Sequence, residues 1–414
     1  MCRNCLFLFV CIGLSASIGA AGANPVETAA VTPGDVMLPQ GHRMALYLDC
    51  GGNPNPVSND DLSMACLSGA GHVFSGIAGP LGSALYAPDQ VVFQLNGLRP
   101  GSEYVLGFTW WDADDSGRVQ SVAFAAGEAG TWQTVLPPVR AAAFHADKPT
   151  WARVLLPLAA PFNQGGPLRV AFVRNSGPNA VVNELWLLER TASDRVKRVL
   201  IVTGDDYAGH DWRSTAPALA DALREVAGLE VSITECPAIY GSPLLNHYDA
   251  TVIHFKNYDD RMPLGPECRE GLRAHVASGR GLALCHFGCG AFQDWDAFET
   301  IAGRKYNPDL RPHDPYAAFT VRITEKSHPV TKEMASFEVT DELYTCLDGN
   351  APVHLLCEAD SVVDKRAYPM AFVVENTAGR VFHCLLGHDA GVYKTAGARA
   401  LYQQGIAWAA GLKK

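Results

Sequence analysis

Positive charge is in short supply. The chain has 33 lysines and arginines against 43 aspartates and glutamates, a formal net charge of −10. It has no basic surplus for gripping phosphates, so nucleic acid is not expected as a partner. Beyond the N-terminus there is also no apolar run approaching the ~18 unbroken residues of a membrane helix, so no membrane span is expected. No segment reads as a nucleotide-binding motif, and no nucleotide cofactor is expected. What remains, at 48% hydrophobic and 18% charged residues, is the composition of a mildly acidic globular protein. A length of 414 residues exceeds one typical core and suggests two domains.

The N-terminus reads Arg3, an apolar run from Leu6 to Ile18, then Ala21-Gly22-Ala23. That is the charged, apolar and small-residue order of a secretory leader. We expect residues 1–23 to be a signal peptide and the mature protein to be exported, periplasmic or extracellular. Three of the 12 cysteines fall in the leader; the odd remainder leaves at least one thiol unpaired within the monomer. Cys50 and Cys66 are the expected disulfide, because both fall in a loop-rich part of an exported chain.

From about 40 to 192, short apolar runs such as "MALYLDCGG", "VVFQLNGL" and "LRVAFVRN" alternate with Gly, Pro, Asn and Asp. This rhythm predicts an all-β sandwich over 24–192. The phrases "LNGLRPGSEYVLGFTWWDAD" and "VNELWLLE" resemble jelly-roll accessory domains of the malectin and galactose-binding type. Of the neighbours Trp110 and Trp111, alternation sends one into the core and leaves the other as a candidate sugar-stacking ring. After a connector at 193–197 the rhythm changes. "RVLIVTG" is a continuous apolar strand, and "STAPALADALREVAG" is a helix with Ala216, Leu219, Ala220, Leu223 and Val226 along one face. Further strands at 248–255 and 281–287 alternate with helices at 266–279 and 290–303. The pattern predicts an α/β domain over 198–414 built on a doubly wound parallel sheet, with its active groups at the carboxyl ends of the strands.

Four polar clusters end apolar runs in this second segment: "TGDDYAGHDW", "CHFGCGAF", "FEVTDELY" and "CLLGHD". The set resembles the ThuA-like, or trehalose-utilisation, family, which has the class I glutamine amidotransferase-like fold. The matching residues are Gly204 and His210-Asp211-Trp212; His286, Gly290 and Phe292; His328 to Thr331; Asp341 to Tyr344; and Gly387-His388-Asp389. His313 occupies the region where the family carries a His-Gly segment, but Asp314 follows it here.

In the amidotransferases a nucleophilic Cys sits on the turn between strand and helix. In "LALCHFGCGAF" that turn falls at His286, not Cys285. Neighbours on a strand point to opposite faces, so only one of the two can face a crevice. Cys285 is therefore read as a buried strand residue, and no Cys-His-Glu triad can be assembled in amidotransferase order. His210, His286, Glu342 and His388 bring three imidazoles and a carboxylate from separate strand ends. Such donors suit Zn, Mn, Fe or Ni, so a divalent metal is one reading of the set, and metal-free acid-base catalysis is the other. The resemblance implies action on 3-keto-glycosides or related disaccharides by cleavage or isomerisation, with a carbohydrate as partner. In that scheme His286 or Glu342 is the base, Asp389 orients His388, and His210 is ligand or acid. Trp212, Asp211, His254 and Tyr344 are expected to line the substrate. A non-catalytic carbohydrate-binding protein is the alternative, and a cysteine-dependent hydrolase or amidotransferase a third reading.

Overall fold

The computed structural model describes residues 38–413 except 52, 59–60, 75–81, 142–143, 146–147, 150–151, 193–194, 206–208 and 258–262. The expected signal peptide and part of the expected connector lie outside the described residues.

The N-terminal segment forms two five-stranded antiparallel sheets. One orders the strands Ala152–Leu158, Tyr104–Trp110, Glu184–Arg190, His42–Asp49 and Asn53–Ser58. The other orders Ser63–Ser68, Gln90–Asn96, Leu168–Ser176, Val119–Ala126 and Gln133–Arg140. Alternation fills the space between them: Leu106, Phe108 and Trp110 from one sheet meet Phe93, Phe124 and Phe172 from the other in a single core. Phe108 and Phe172 approach edge to face with ring centroids 4.9 Å apart. Trp110 and Trp111 are both buried at 1% exposure, so neither offers a ring to sugar. Trp111 lies on the outer side of this strand end, where Phe74 covers it at 6.0 Å. Cys50 and Cys66 are both free thiols. The expected disulfide is not formed, and the buried Cys50 Sγ instead points to the carbonyl of Leu48 at 4.0 Å.

The C-terminal segment is built on nine strands: β1 (Lys197–Val202), β2 (Leu229–Thr234), β3 (Ala250–Ile253), β4 (Gly281–Cys285), β5 (Ala317–Ile323), β6 (Phe337–Asp341), β7 (Val353–Asp360), β8 (Ala367–Val374) and β9 (Val381–Cys384). Its helices are α1 (Trp212–Arg224), α2 (Pro266–Ala277), α3 (Phe298–Ala302) and α4 (Ala396–Ala409). The sheet order is β2-β1-β3-β4-β9-β8-β7-β5-β6. The first five strands are parallel, as the alternating pattern predicts. The last four are antiparallel, which corrects the expectation of a wholly parallel sheet. The reason is chain length: a parallel return needs a crossover of a dozen or more residues, and only 375–380 separate β8 from β9. A second correction concerns the expected helix over 290–303. A 3-10 turn, His286–Gly290, follows β4, and helix resumes only at α3. Phe292, at φ 50°, breaks the path between them. No helix among the described residues is long and apolar enough to cross a membrane.

Residues 36–414 form one compact unit, although among the described residues no sheet contains strands from both segments. Alternate residues of β1 explain this. Val199 and Ile201 pack beneath α1 and α4, while Leu200 and Val202 join the core that includes Phe108, Val135 and Tyr240. That second core is continuous with the sandwich. Its rim is tied by ion pairs, chiefly Arg153 on the sandwich with Glu235 after β2, whose side chain is 3% exposed. The backbone N–H of Arg153 also donates to Glu235 Oε2 at 2.9 Å, and Arg190 pairs with Glu230 at 2.7 Å.

Arg153→Ala leaves the buried Glu235 carboxylate with Arg213 at 3.3 Å and the backbone N–H of residue 153, so it should cost about 1.5–3 kcal/mol, the worth of the charged hydrogen bonds removed. Because both segments share one core, unfolding should remain a single transition. Urea titration followed by near-UV and far-UV circular dichroism checks both points, and two separated transitions in the native chain would contradict the shared core.

Candidate active site

Four loops that follow strands converge at one end of the sheet. His210 lies beyond β1, one residue before the cap of α1. His286 opens the 3-10 turn after β4, Glu342 follows β6, and His388 follows β9. One ligand atom from each lies within 4.8 Å of every other. Sequence and geometry therefore bring the same four residues together.

The hub is Glu342 Oε2. It lies 3.1 Å from His388 Nδ1, 3.6 Å from His286 Nε2 and 3.8 Å from His210 Nε2. Burial alone would raise this carboxyl, but the surrounding imidazoles outweigh it and hold Glu342 well below the usual carboxylate range. His286 is fully buried, and its Nδ1 lies 2.6 Å from the carbonyl of Leu385. A carbonyl can only accept, so Nδ1 carries the proton and Nε2 presents its lone pair to the cluster. The buried His286 Nε2 and His388 Nδ1 have no hydrogen-bond partner, although Glu342 is close to both. The approach is that of donors facing a common point. Ligand atoms ~2.1 Å from one ion at tetrahedral angles would be about 3.4 Å apart, and the three distances bracket that value. The set can hold a divalent cation.

Backbone geometry makes the convergence possible. His286 adopts φ 44°, a left-handed conformation that side chains other than glycine seldom take. Gly387, at φ 133°, passes so close to the turn that a Cβ there would lie 2.5 Å from Tyr393 Oη and 3.3 Å from His286 Cβ. Behind the ligands, the fully buried Asp341 collects three backbone N–H groups. Those of Gly387 (2.7 Å), Glu342 (2.9 Å) and His388 (3.1 Å) all donate to its oxygens. Burial pushes the Asp341 carboxyl up from its ordinary value, with these contacts acting against it.

The other expected site residues are placed as follows. Tyr344 lines the cluster: its ring lies 4.3 Å from that of His286 and its hydroxyl 3.5 Å from His210 Nε2. His254 sits one layer back. It bonds Thr203 Oγ1 at 3.1 Å and meets Phe287 at 4.8 Å. Phe287 in turn stacks on His210 at 4.8 Å. Burial, reinforced by His286 and His210, pushes His254 down to about 3, so it is a neutral packing partner. Asp211 is the exposed cap residue of α1, and Trp212 carries the Arg213 guanidinium over its ring at 4.2 Å. Asp389 does not orient the His388 ring. Its carboxylate accepts from the Gly391 N–H at 2.6 Å and the Tyr316 hydroxyl at 2.5 Å.

Three contributors were passed over or left open in the sequence. Asp341 is hidden in the motif by its neighbour Glu342. Tyr316, 46% exposed, sits at the mouth 5.3 Å from the His388 ring, and its bond to Asp389 holds the phenol up at about 12. His313 points Nε2 at Glu342 Oε1 from 3.5 Å while Nδ1 lies 2.7 Å from the Asp314 carbonyl. A motif signal was present for all three: Asp341 stands in "FEVTDELY", and both His313 and Tyr316 in "RPHDPY".

A trehalose-utilisation family model, ThuA, matches residues 198–409, just over half of the 414. The chain belongs to the ThuA family. Among solved structures, a ThuA-like protein from Parabacteroides merdae is similar at 20% identity, over 52% of this chain and 90% of that one, with a TM-score of 0.44. A glutamine amidotransferase from Thermotoga maritima is similar at 13% identity, over 47% and 76%, with a TM-score of 0.30. A family 35 carbohydrate binding module from Clostridium thermocellum is similar at 16% identity, over 31% and 92%, with a TM-score of 0.21. No curated protein matches the chain. Family membership gives a carbohydrate-related role.

The amidotransferase nucleophile is not reproduced. Cys285 is fully buried in the core beneath α4, and burial pushes its thiol well up. In the native protein Cys285 should resist iodoacetamide, and Cys285→Ala should cost ~1–2 kcal/mol. Mass spectrometry after a native alkylation pulse checks the first point; rapid labelling would restore the nucleophile reading. Asp341→Ala orphans three buried N–H groups and should cost about 3 kcal/mol or more, whereas Cys285→Ala leaves no polar group stranded. Paired denaturation curves test that ranking.

Proposed function

We propose that this protein is an exported, metal-assisted enzyme cleaving or isomerising 3-keto-glycosides of disaccharide size. The observation that carries the reading is the meeting of His210, His286, Glu342 and His388 within 4.8 Å, with unpartnered nitrogens of His286 and His388 directed inward. Family membership supplies the carbohydrate class, and the leader-like N-terminus supplies export.

A bound divalent cation would supply a Lewis acid to polarise the 3-keto oxygen. With His210, His286, Glu342 and His388 occupied as ligands, proton transfer falls to groups beside them. A ketone at C3 acidifies the C2–H bond, and the half-exposed His313 is placed to take that proton at Nε2. The electron pair left at C2 forms the C1–C2 double bond as the glycosidic C1–O bond breaks. The departing oxygen takes a proton from solvent, and addition of water across the double bond completes hydrolysis. Asp389 holds the Tyr316 phenol in place. Tyr344 closes the inner wall beside His286 and His210.

Purified protein should carry close to one equivalent of a transition metal, measured by inductively coupled plasma mass spectrometry. His210→Ala with His388→Ala should abolish it. Occupancy should fall on acidification, because protons compete with the cation for the imidazole nitrogens, while the carboxyl of Glu342 is held well below its usual range. Incubation with 3-keto-trehalose should release glucose and a keto-sugar, and a chelator should stop the reaction reversibly. Turnover that persists at zero metal would instead favour acid-base chemistry by the same histidines.

A further inference from the structure

A second concavity lies away from the imidazole cluster. It has a volume of about 410 Å³ and is lined by Gln293, Glu299, Tyr306, Asn307, Asp348 and Asn350, among others. That volume is in the range of small-molecule sites. Its walls belong to the chain that builds the cluster. Gln293 lies seven residues beyond His286, and Asp348 six beyond Glu342. Six or seven extended residues span at most about 25 Å, so the two sites are within reach of one short oligosaccharide. The floor is the two-stranded ribbon pairing Lys305–Tyr306 with Leu347–Asp348, which the Asn307 N–H anchors to the Cys346 carbonyl at 2.8 Å.

The lining chemistry is selective. Two carboxylates, Glu299 and Asp348, face one ammonium, Lys305, and that ammonium also lies 3.5 Å from Asp296. An anionic ligand would meet net repulsion. Three amide side chains and two carboxylates line it; the Asn307 amide is already bonded to Asp348 Oδ2 at 3.0 Å, and the rest supply donors and acceptors of the kind sugar hydroxyls use. Glu299 Oε1 takes the backbone N–H groups of Asn350 and Ala351, which fixes the carboxylate and leaves its second oxygen for a ligand. The Gln293 amide nitrogen is buried with no hydrogen-bond partner, an arrangement that costs free energy unless an acceptor arrives. Tyr306 adds an aromatic ring to the wall, steadied by the Lys256 ammonium 3.8 Å from its centroid.

We infer that this cleft is a saccharide subsite, binding a neutral sugar residue of the same glycoside whose reacting ring occupies the imidazole cluster. The inference rests on the carbohydrate reading above and extends it from a disaccharide to a longer, uncharged glycan. The Gln293 amide donates to a ring hydroxyl, Glu299 and Asp348 accept from others, and Tyr306 packs against the apolar face of the sugar.

Isothermal titration of the full-length, metal-loaded protein with glucose, trehalose and maltotetraose tests it. Binding should tighten with chain length. The double variant Gln293→Ala, Asn350→Ala should weaken maltotetraose about tenfold, the loss of one to two hydrogen bonds, with metal content, melting temperature and glucose affinity unchanged. The variant His210→Ala, His388→Ala should lose turnover yet keep maltotetraose binding at the cleft. Unaltered maltotetraose affinity in the cleft variant overturns the subsite. So does a native protein that turns over 3-keto-trehalose without binding maltotetraose, and that result leaves the catalytic reading standing. If neither turnover nor sugar binding occurs, the carbohydrate reading itself falls and takes the subsite with it.

Discussion

Three backbone N–H groups converging on the fully buried carboxylate of Asp341 hold the site in register. Asp341 ends β6, at one edge of the sheet, whereas Gly387 and His388 follow β9 at its middle. Without this shared acceptor the two loops would keep the side-chain approach of His388 Nδ1 to Glu342 Oε2 at 3.1 Å but lose the backbone bonds that fix it. The arrangement also satisfies donors that the turn at Gly387 would otherwise leave orphaned in the interior. One carboxylate therefore serves two purposes, closing a local hydrogen-bond deficit and setting the distance between two prospective ligands. Because its partners are backbone atoms, neighbouring side chains can change without breaking the tie.

The same logic of shared support extends to the whole chain. The sandwich is more than an appendage on the α/β segment, since Leu200 and Val202 of β1 and residues such as Tyr240 and Leu244 sit in the core that the sandwich completes. Glu235 links the sandwich's Arg153 to Arg213 in the first turn of α1, the helix that begins just after His210. Gly204 passes so close beneath this point that a Cβ there would lie 2.5 Å from the Glu235 carbonyl. The chain at Gly204, just beyond β1, is thus pressed against a surface that the sandwich buttresses.

Much of this was legible in the sequence. The continuous apolar run at 198–204 could only be a strand buried on both faces, and the helical stripe from Ala216 to Leu223 matched the buried side of α1. The four cluster residues were readable because each ended an apolar run, and parallel strands deliver such ends to one crevice. The antiparallel half of the sheet was less legible: short apolar strands look alike whichever way they run, and direction is set by connection length. The helix expected over 290–303 failed for a different reason. Its periodicity was sound, but a left-handed Phe292 and a Gly290 pressed against Lys256 are tertiary demands that no local pattern announces. Asp341 was visible in the motif from Asp341 to Tyr344, but its role was not, because a carboxylate bonded to backbone leaves no paired residue in the sequence to betray it.

The left-handed backbone of His286 bears on what selection must have weighed at this position. Glycine would relax there at little steric cost, and asparagine would tolerate the conformation better than an imidazole does. A chain optimised only for stability would drift toward one of them. Histidine at that turn costs roughly 1–3 kcal/mol, and the fold recovers part of it through the Nδ1 bond to the Leu385 carbonyl at 2.6 Å and the Tyr344 ring at 4.3 Å. Glycine would relieve the backbone and give up both, so the position trades local strain against ties that hold the turn to β9 and to the loop after β6.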